Sequence, residues 1–314
     1  MSANTSDRNS IEDSVNTAWR ALLDNYAVKD SDVKNISESK SLYHGMVFHQ
    51  KSHVWVAPPN GGKTTLATKV AAHIAVQKYQ VIYINLDMGS ADLKYYQKHA
   101  SNYGYKLICP LASKADVPDC IQLVNGMSRD NDLEDTVLFL DTLKKFTDPF
   151  SKSDSRKFYE LIRNLTRNGC TVISLAHTNK HGTSDGKLIY EGTGDLKSDT
   201  DIMMMLYHEK KGYELRVSTE FEKARAPVVP HSFIIDSDRN VTICETYASY
   251  REVTNNGLKE NQDEAIILFI KQILAVQAVN QIHILKECQN KEMGGTSHDR
   301  EDSQTIPKHT LDKT

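Results

Sequence analysis

At 314 residues, with 39% hydrophobic and 25% charged residues, the chain is long enough for one large α/β domain with appendages, and a formal net charge of −3 does not advertise nucleic acid through bulk electrostatics. No apolar run approaches the length of a membrane span and the N-terminus lacks the basic and apolar regions of a signal peptide, so a soluble, cytoplasmic protein is expected. Five cysteines, Cys109, Cys120, Cys170, Cys244 and Cys288, are odd in number and scattered, which argues against a disulfide framework and a zinc site.

Residues 1–10 and 291–314 are rich in Ser, Thr, Asp, Asn, Lys and Gly and read as disordered tails. Ile11, Val15, Ala18, Trp19, Leu22 and Tyr26 recur at helical spacing and predict an amphipathic N-terminal helix, packed on its own domain or docked on a neighbouring subunit. Residues 28–40 read as a linker, closing an N-terminal segment at 42.

A core over 43–250 follows. Strand-like 54–56 leads into Ala57-Pro-Pro-Asn-Gly-Gly-Lys-Thr-Thr, after which Leu66, Val70 and Ile74 carry helical spacing. This reads as a phosphate-binding loop. Small residues let successive backbone N–H groups converge on phosphates, an ammonium reaches the outer phosphates, and a hydroxyl ligates Mg²⁺. Pro59, Asn60, Gly61, Gly62, Lys63, Thr64 and Thr65 are the expected nucleotide-binding residues, with Lys63 the ammonium and Thr64 the hydroxyl. Ala57 stands where the motif has glycine, and a differently shaped loop corner is expected there.

The alternation continues with a strand at 81–86, a helix at 91–102, a strand at 105–109, a helix at 117–127, a strand at 136–140 ending in Asp141, a helix at 156–168 and a strand at 171–176. Strands separated by such helices imply a mainly parallel sheet covered on both faces, with ligands at the carboxyl ends of the strands. From 202 the rhythm changes to 202–207, 213–219, 227–235 and 241–245, joined by short turns such as Ser237-Asp-Arg-Asn, which predicts antiparallel strands extending the sheet. Residues 251–290 read as a small helical region, either a cap or the start of a helix-turn-helix, before the tail at 291–314.

Asp141, delivered by an apolar strand, is the expected partner of Thr64 on the metal. Asp87, leaving the strand at 81–86, is placed to orient an attacking water, with Asp92 as the substitute. His177 lies at the tip of another central strand and is suited to sensing the γ-phosphate. Phe221-Glu-Lys223-Ala-Arg225 follows a strand and offers two cations; an arginine from an adjacent subunit can neutralise transition-state charge.

Taken together, Ala57 to Thr65, Ile84-Asn-Leu-Asp87, Leu138-Phe-Leu-Asp141, Leu175-Ala-His-Thr-Asn-Lys180 and Lys223-x-Arg225 resemble the RecA-like hexameric P-loop ATPases, especially the plasmid RepA-type replicative helicases and the related phage and mobile-element ATPases. The resemblance covers roughly residues 43–245. It implies ATP and Mg²⁺ as cofactors, a homo-oligomeric ring such as a hexamer, single-stranded DNA as a partner, and no membrane. It further implies that Asp87 replaces the family's usual Glu, that His177 is the polar strand-end sensor, and that Lys223 and Arg225 reach a neighbouring subunit's nucleotide. Its DNA-contacting loops fall at 147–156 and 180–197, which hold Lys152, Arg156, Lys180, Lys187 and Lys197, with Gly182, Gly186, Gly192 and Gly194. The reading is a DNA helicase in replication of a mobile element. Its rivals are a small-molecule kinase, against which the Lys-x-Arg pair and the long Lys63 to Asp141 spacing argue, and a nucleotide-gated ATPase that loads or regulates another factor without unwinding.

Overall fold

The computed structural model describes residues 22–23, 25–33, 39–148, 150–179, 187–191, 195–253, 266, 269–271 and 286. The tails, most of the N-terminal helix and most of the C-terminal helical region lie outside the described residues. The chain divides into two compact units, Met1–Lys40 and Ser41–Thr314. In the first, Asp30–Val33 forms a single helical turn inside the segment read as a linker.

The second unit opens with a small hairpin, β1 (Ser41–Tyr43) and β2 (Val47–Phe48). It continues with β3 (Ser52–Ala57), α1 (Lys63–Val76), β4 (Gln80–Asn85), α2 (Ser90–Tyr103), β5 (Lys106–Ile108) and α3 (Val117–Met127). Then come β6 (Thr136–Asp141), α4 (Lys152–Arg167), β7 (Thr171–His177), α5 (Asp195–Asp199), and β8 (Ile202–Lys211), β9 (Glu214–Ala224), β10 (Ser232–Ile235) and β11 (Val241–Ile243). Nine strands form one sheet in the order β11-β10-β9-β8-β3-β7-β6-β4-β5. The six from β5 to β8 in that order pair in parallel, and β9, β10 and β11 continue it antiparallel. This is the RecA-like α/β architecture, with antiparallel strands extending a mainly parallel sheet.

The parallel strands read as unbroken apolar runs because both sheet faces are covered. Side-chain alternation divides them: Trp55, Tyr83, Phe139 and Ile173 meet Leu66, Val70 and Ile74 of α1 on one face. Val54, Val56, Leu138, Leu140 and Val172 meet Val124 of α3 and Phe158, Ile162 and Leu165 of α4 on the other. Burying a side chain of this size fully stabilises by about 1.5–3 kcal/mol, so this two-sided core is what fixes the strand ends that carry the polar residues.

Two expectations need correction. Residues 147–156 are not one loop, because the Ser151 hydroxyl caps α4 by accepting the Asp154 N–H, so Lys152 and Arg156 stand on the first turns of a helix. Lys223 does not follow a strand but lies within β9, which runs beyond the expected 213–219 and pairs Lys223 with Met203.

Candidate functional site

Parallel register brings the polar residues to one edge. Ala57 pairs with His177, Asn85 with Asp141, and Asp141 with Leu175, so β3, β4, β6 and β7 end together. The loop from Pro58 to Gly62 leaves β3 there and feeds α1.

Ala57 is the last residue of extended β3, where a Cβ costs nothing. The left-handed positions fall instead at Asn60 (φ 61°) and Gly62 (φ 75°), which is the physical reason the missing glycine leaves the turn intact. Gly62 is doubly constrained, since a Cβ there would stand 2.7 Å from Ile235 Cδ1 and 3.0 Å from Leu215 Cδ2. No side chain caps α1 and its first turn holds no acid. Its leading N–H groups, at the positive end of the helix dipole, therefore form a ready anion site.

Lys63 is only 6% exposed. Its ammonium donates to Ala176 O at 3.0 Å and to His177 Nδ1 at 3.3 Å. Because an ammonium has no acceptor, Nδ1 must accept and the ring proton sits on Nε2. Burial pulls the Lys63 pKa down to about 8, opposed by Asp141 and Asp87. Burial, then Lys63 and Lys144, pull His177 down to about 4, so its ring is neutral at physiological pH.

Asp141, 3% exposed, gathers three donors on Oδ2: Thr64 Oγ1 at 2.8 Å, Asn85 Nδ2 at 2.9 Å and Tyr83 OH at 3.0 Å. Burial raises its carboxyl above the usual range, against the Thr64 bond, Lys63 and Tyr83. Asn85 also accepts the Asp87 N–H on Oδ1 at 3.0 Å, so one amide ties the buried carboxylate to the start of the Asp87 segment. Carboxylate and hydroxyl are the hard oxygen donors Mg²⁺ prefers, and Mg²⁺ takes few protein ligands, completing its shell with water and phosphate. Among the described residues no group of three or more His, Cys, Asp or Glu comes together as a metal cage.

A cavity of about 430 Å³ brings Pro59, Asn60, Gly61, Gly62, Lys63, Thr64, Thr65, Asp87, Asp141 and His177 together. Asp87 stands exposed at its mouth. Asp92 also lines it but is held by Arg239, Nη2 to Oδ1 at 2.5 Å. Lys223 and Arg225 lie elsewhere. Antiparallel β9 carries them to the opposite end of the sheet, beside the start of β3. There Lys223 Nζ donates to Lys197 O and Ser198 O at 2.8 and 2.7 Å, and Arg225 Nη1 meets Asp201 at 3.4 Å.

Of the residues assigned to DNA-contacting loops, Lys187 and Lys197 both pair with Glu222, at 2.8 and 2.9 Å. Lys152 and Arg156 join Arg163 and Arg167 around a separate cavity of about 530 Å³ on the outer face of α4. Lys180, Gly182, Gly186, Gly192 and Gly194 lie outside the described residues.

Tyr83, Asn85, Tyr96 and Arg239 are site residues that sequence reasoning did not single out. An Asn closing an otherwise apolar buried strand was a usable signal for Asn85. Arg239 had none, since its place depends on the antiparallel pairing that runs from β8 through β9 and β10 to β11.

The histidines give a pH signature. Burial holds His53, like His177, down to about 4. Both folded-state values lie below the ordinary 6.5, so between pH 6.5 and 4 the unfolded chain binds more protons and stability falls as pH falls. Urea midpoints at pH 7 and pH 5 should therefore differ, with the lower at pH 5. His177→Gln should shrink the difference, and an unchanged difference would show that the ring is not held neutral.

No helix among the described residues is long and apolar enough to cross a membrane. No curated protein matches the chain. Among solved structures the flagellar accessory protein FlaH from Methanocaldococcus jannaschii is similar at 13% identity and a TM-score of 0.48, over 65% of this chain and 93% of that one. The family model described as AAA domain matches residues 20–183, more than half of the sequence, from ahead of β1 through the end of β7. That span contains the phosphate loop together with Asp87, Asp141 and His177, and the chain belongs to the AAA domain family, carrying a RecA-like P-loop ATPase domain.

Proposed function

We propose that the protein is a ring-forming motor ATPase that couples ATP hydrolysis to movement on single-stranded DNA, as a helicase in the replication of a plasmid, phage or other mobile element. The observation that carries this reading is the separation of the polar residues into two sets. Lys63, Thr64, Asp87, Asp141 and His177 share one cavity, while Arg225, 59% exposed at its side chain, sits with Lys223 at the far end of the sheet. In this reading a cation pair at the opposite end of the sheet from its own cavity serves a site on another copy.

In this reading the N–H groups of the loop and α1 hold the phosphates, and Lys63 stabilises charge developing on the outer one. Thr64 and Asp141 would hold Mg²⁺, which when bound neutralises phosphate charge. Asp87 orients the attacking water from the cavity mouth. Neutral His177, with Nδ1 accepting and Nε2 donating, responds to whether Lys63 remains on it. Arg225 and Lys223 complete the site of an adjacent copy.

A second reading, a nucleotide-gated ATPase that loads or regulates another factor, draws on Lys187 and Lys197, whose charges Glu222 already engages. ATPase rate with and without single-stranded DNA, with particle mass in ATP and Mg²⁺ and a strand-displacement assay, separates the two. DNA-stimulated turnover by an oligomer with displacement supports the motor. An oligomer that hydrolyses ATP without DNA response or displacement favours the second reading, and a strictly monomeric particle removes the role of Arg225 in trans.

A further inference from the structure

The cavity continues past the phosphate-facing residues to an end of different chemistry. Beyond Thr64, Thr65 Oγ1 meets the Tyr96 hydroxyl at 3.3 Å. Above Tyr96 lies Arg239, its guanidinium carbon 5.4 Å from that ring centre and 4.9 Å from the ring of Tyr95. Leu215 and Ile235 line the same cavity and press on Gly62. This end joins aromatic and aliphatic faces to the Arg239–Asp92 ion pair, unlike the end formed by Lys63 and Asp141.

We propose that Arg239 forms the nucleobase end of the cavity, its guanidinium plane stacking on the base of a nucleoside triphosphate whose other flank meets Leu215 and Ile235. The inference rests on the reading of the loop as a phosphate site and adds where the rest of the nucleotide lies. Two observations favour a stacking role over a phosphate contact. The charge of Arg239 is already met by Asp92 at 2.5 Å, and its Nη1 is buried without a hydrogen-bond acceptor beside the tyrosine rings, whose π faces receive a cation. The guanidinium is thus fixed as a plane more than offered as a free charge.

The turn is built to hold it there. Arg239 has φ 66°, a conformation arginine rarely adopts. Asp236 imposes it, accepting the N–H groups of Asp238 and Asn240 on Oδ1 and that of Arg239 on its carbonyl. A loop between β10 and β11 thereby reaches α2 across the cavity.

The test measures binding of ATP and of inorganic tripolyphosphate, each with Mg²⁺, to the full chain and to its Arg239→Ala and Arg239→Lys variants. ATP affinity is expected to fall about tenfold in both variants, since lysine keeps the charge but lacks the plane, while tripolyphosphate affinity stays within about twofold. Unchanged tripolyphosphate binding also shows that the variants fold. Equal losses for both ligands, or full rescue by lysine, would make Arg239 a charge contact to phosphate and overturn the proposal. ATP binding untouched in Arg239→Ala would overturn it as well, leaving the phosphate-site reading intact. Failure of the unmodified protein to bind either ligand would overturn that reading and this one with it.

Discussion

Lys63→Ala is expected to abolish ATP turnover, lowering kcat by about a thousandfold or more, without unfolding the protein. The ammonium is enclosed against Ala176 O and His177 at the edge where β3, β6 and β7 end. A charge in so dry a place acts strongly on phosphate oxygens. The same dryness makes it costly to the fold. With a folded pKa of about 8 against the ordinary 10.5, Lys63 binds its proton less tightly in the folded chain. Its cost is therefore fully present below pH 8 and is relieved as pH rises from 8 towards 10.5. Alanine removes that cost, so thermal melts at pH 7 should show little loss, and the stability gain above pH 8 should vanish. Steady-state ATPase assays and melts of the two proteins check both halves; hydrolysis persisting in a folded variant would end the assignment of the site.

Asp141→Asn is expected to be nearly as damaging to turnover, by roughly a hundred- to a thousandfold, while leaving the protein at least as stable. The oxygen of an asparagine can still receive Thr64, Tyr83 and Asn85, so the local geometry has a substitute acceptor. What disappears is a carboxylate charge that is 3% exposed and whose pKa burial raises. A raised carboxylate pKa means that the folded chain keeps the proton longer than the unfolded one as pH climbs past 3.8. Ionised Asp141 therefore costs stability at neutral pH, and the amide removes that cost. Melting temperature at pH 7 should not drop, and the extra stabilisation by Mg²⁺ over nucleotide alone should be lost. A variant that hydrolyses ATP at the normal rate would show that Asp141 does not hold the metal.

The residues that were legible and those that were not differ in how far their positions depend on distant chain. Val137 to Leu140 announces a buried strand because both of its faces are covered, and Asp141 then stands out as the first charge after an apolar run. The helix at Val117–Met127 carries its own start signal, Asp116 and Asp119 in a reciprocal capping box. The hairpin over Ser41–Phe48 had no such voice, since strands of three and two residues are too short to show a period of two. Tyr83 read as one more apolar residue of β4, and only its neighbour β6 gives its hydroxyl a carboxylate to meet. Lys152 and Arg156 looked like loop cations because a Ser151 cap is a weak signal beside a stretch so rich in polar residues.

One strand touches both ends of the sheet. From Leu215, pressed on Gly62 of the phosphate loop, β9 runs to Lys223 at the far end of the sheet, roughly 27 Å away at about 3.4 Å per residue, with one irregularity at Glu222, where its register with β8 shifts. β8 pairs along its length and β10 along Leu215–Ser218, which stiffens the stretch nearest the loop. It is thus a stiff lever with a joint near one end: the stretch beside the loop is held on both sides, and the register shift at Glu222 lies just ahead of Lys223. In the ring we propose, each such strand would have its loop end at one nucleotide and its Lys223 end toward the next, with the joint at Glu222 between them.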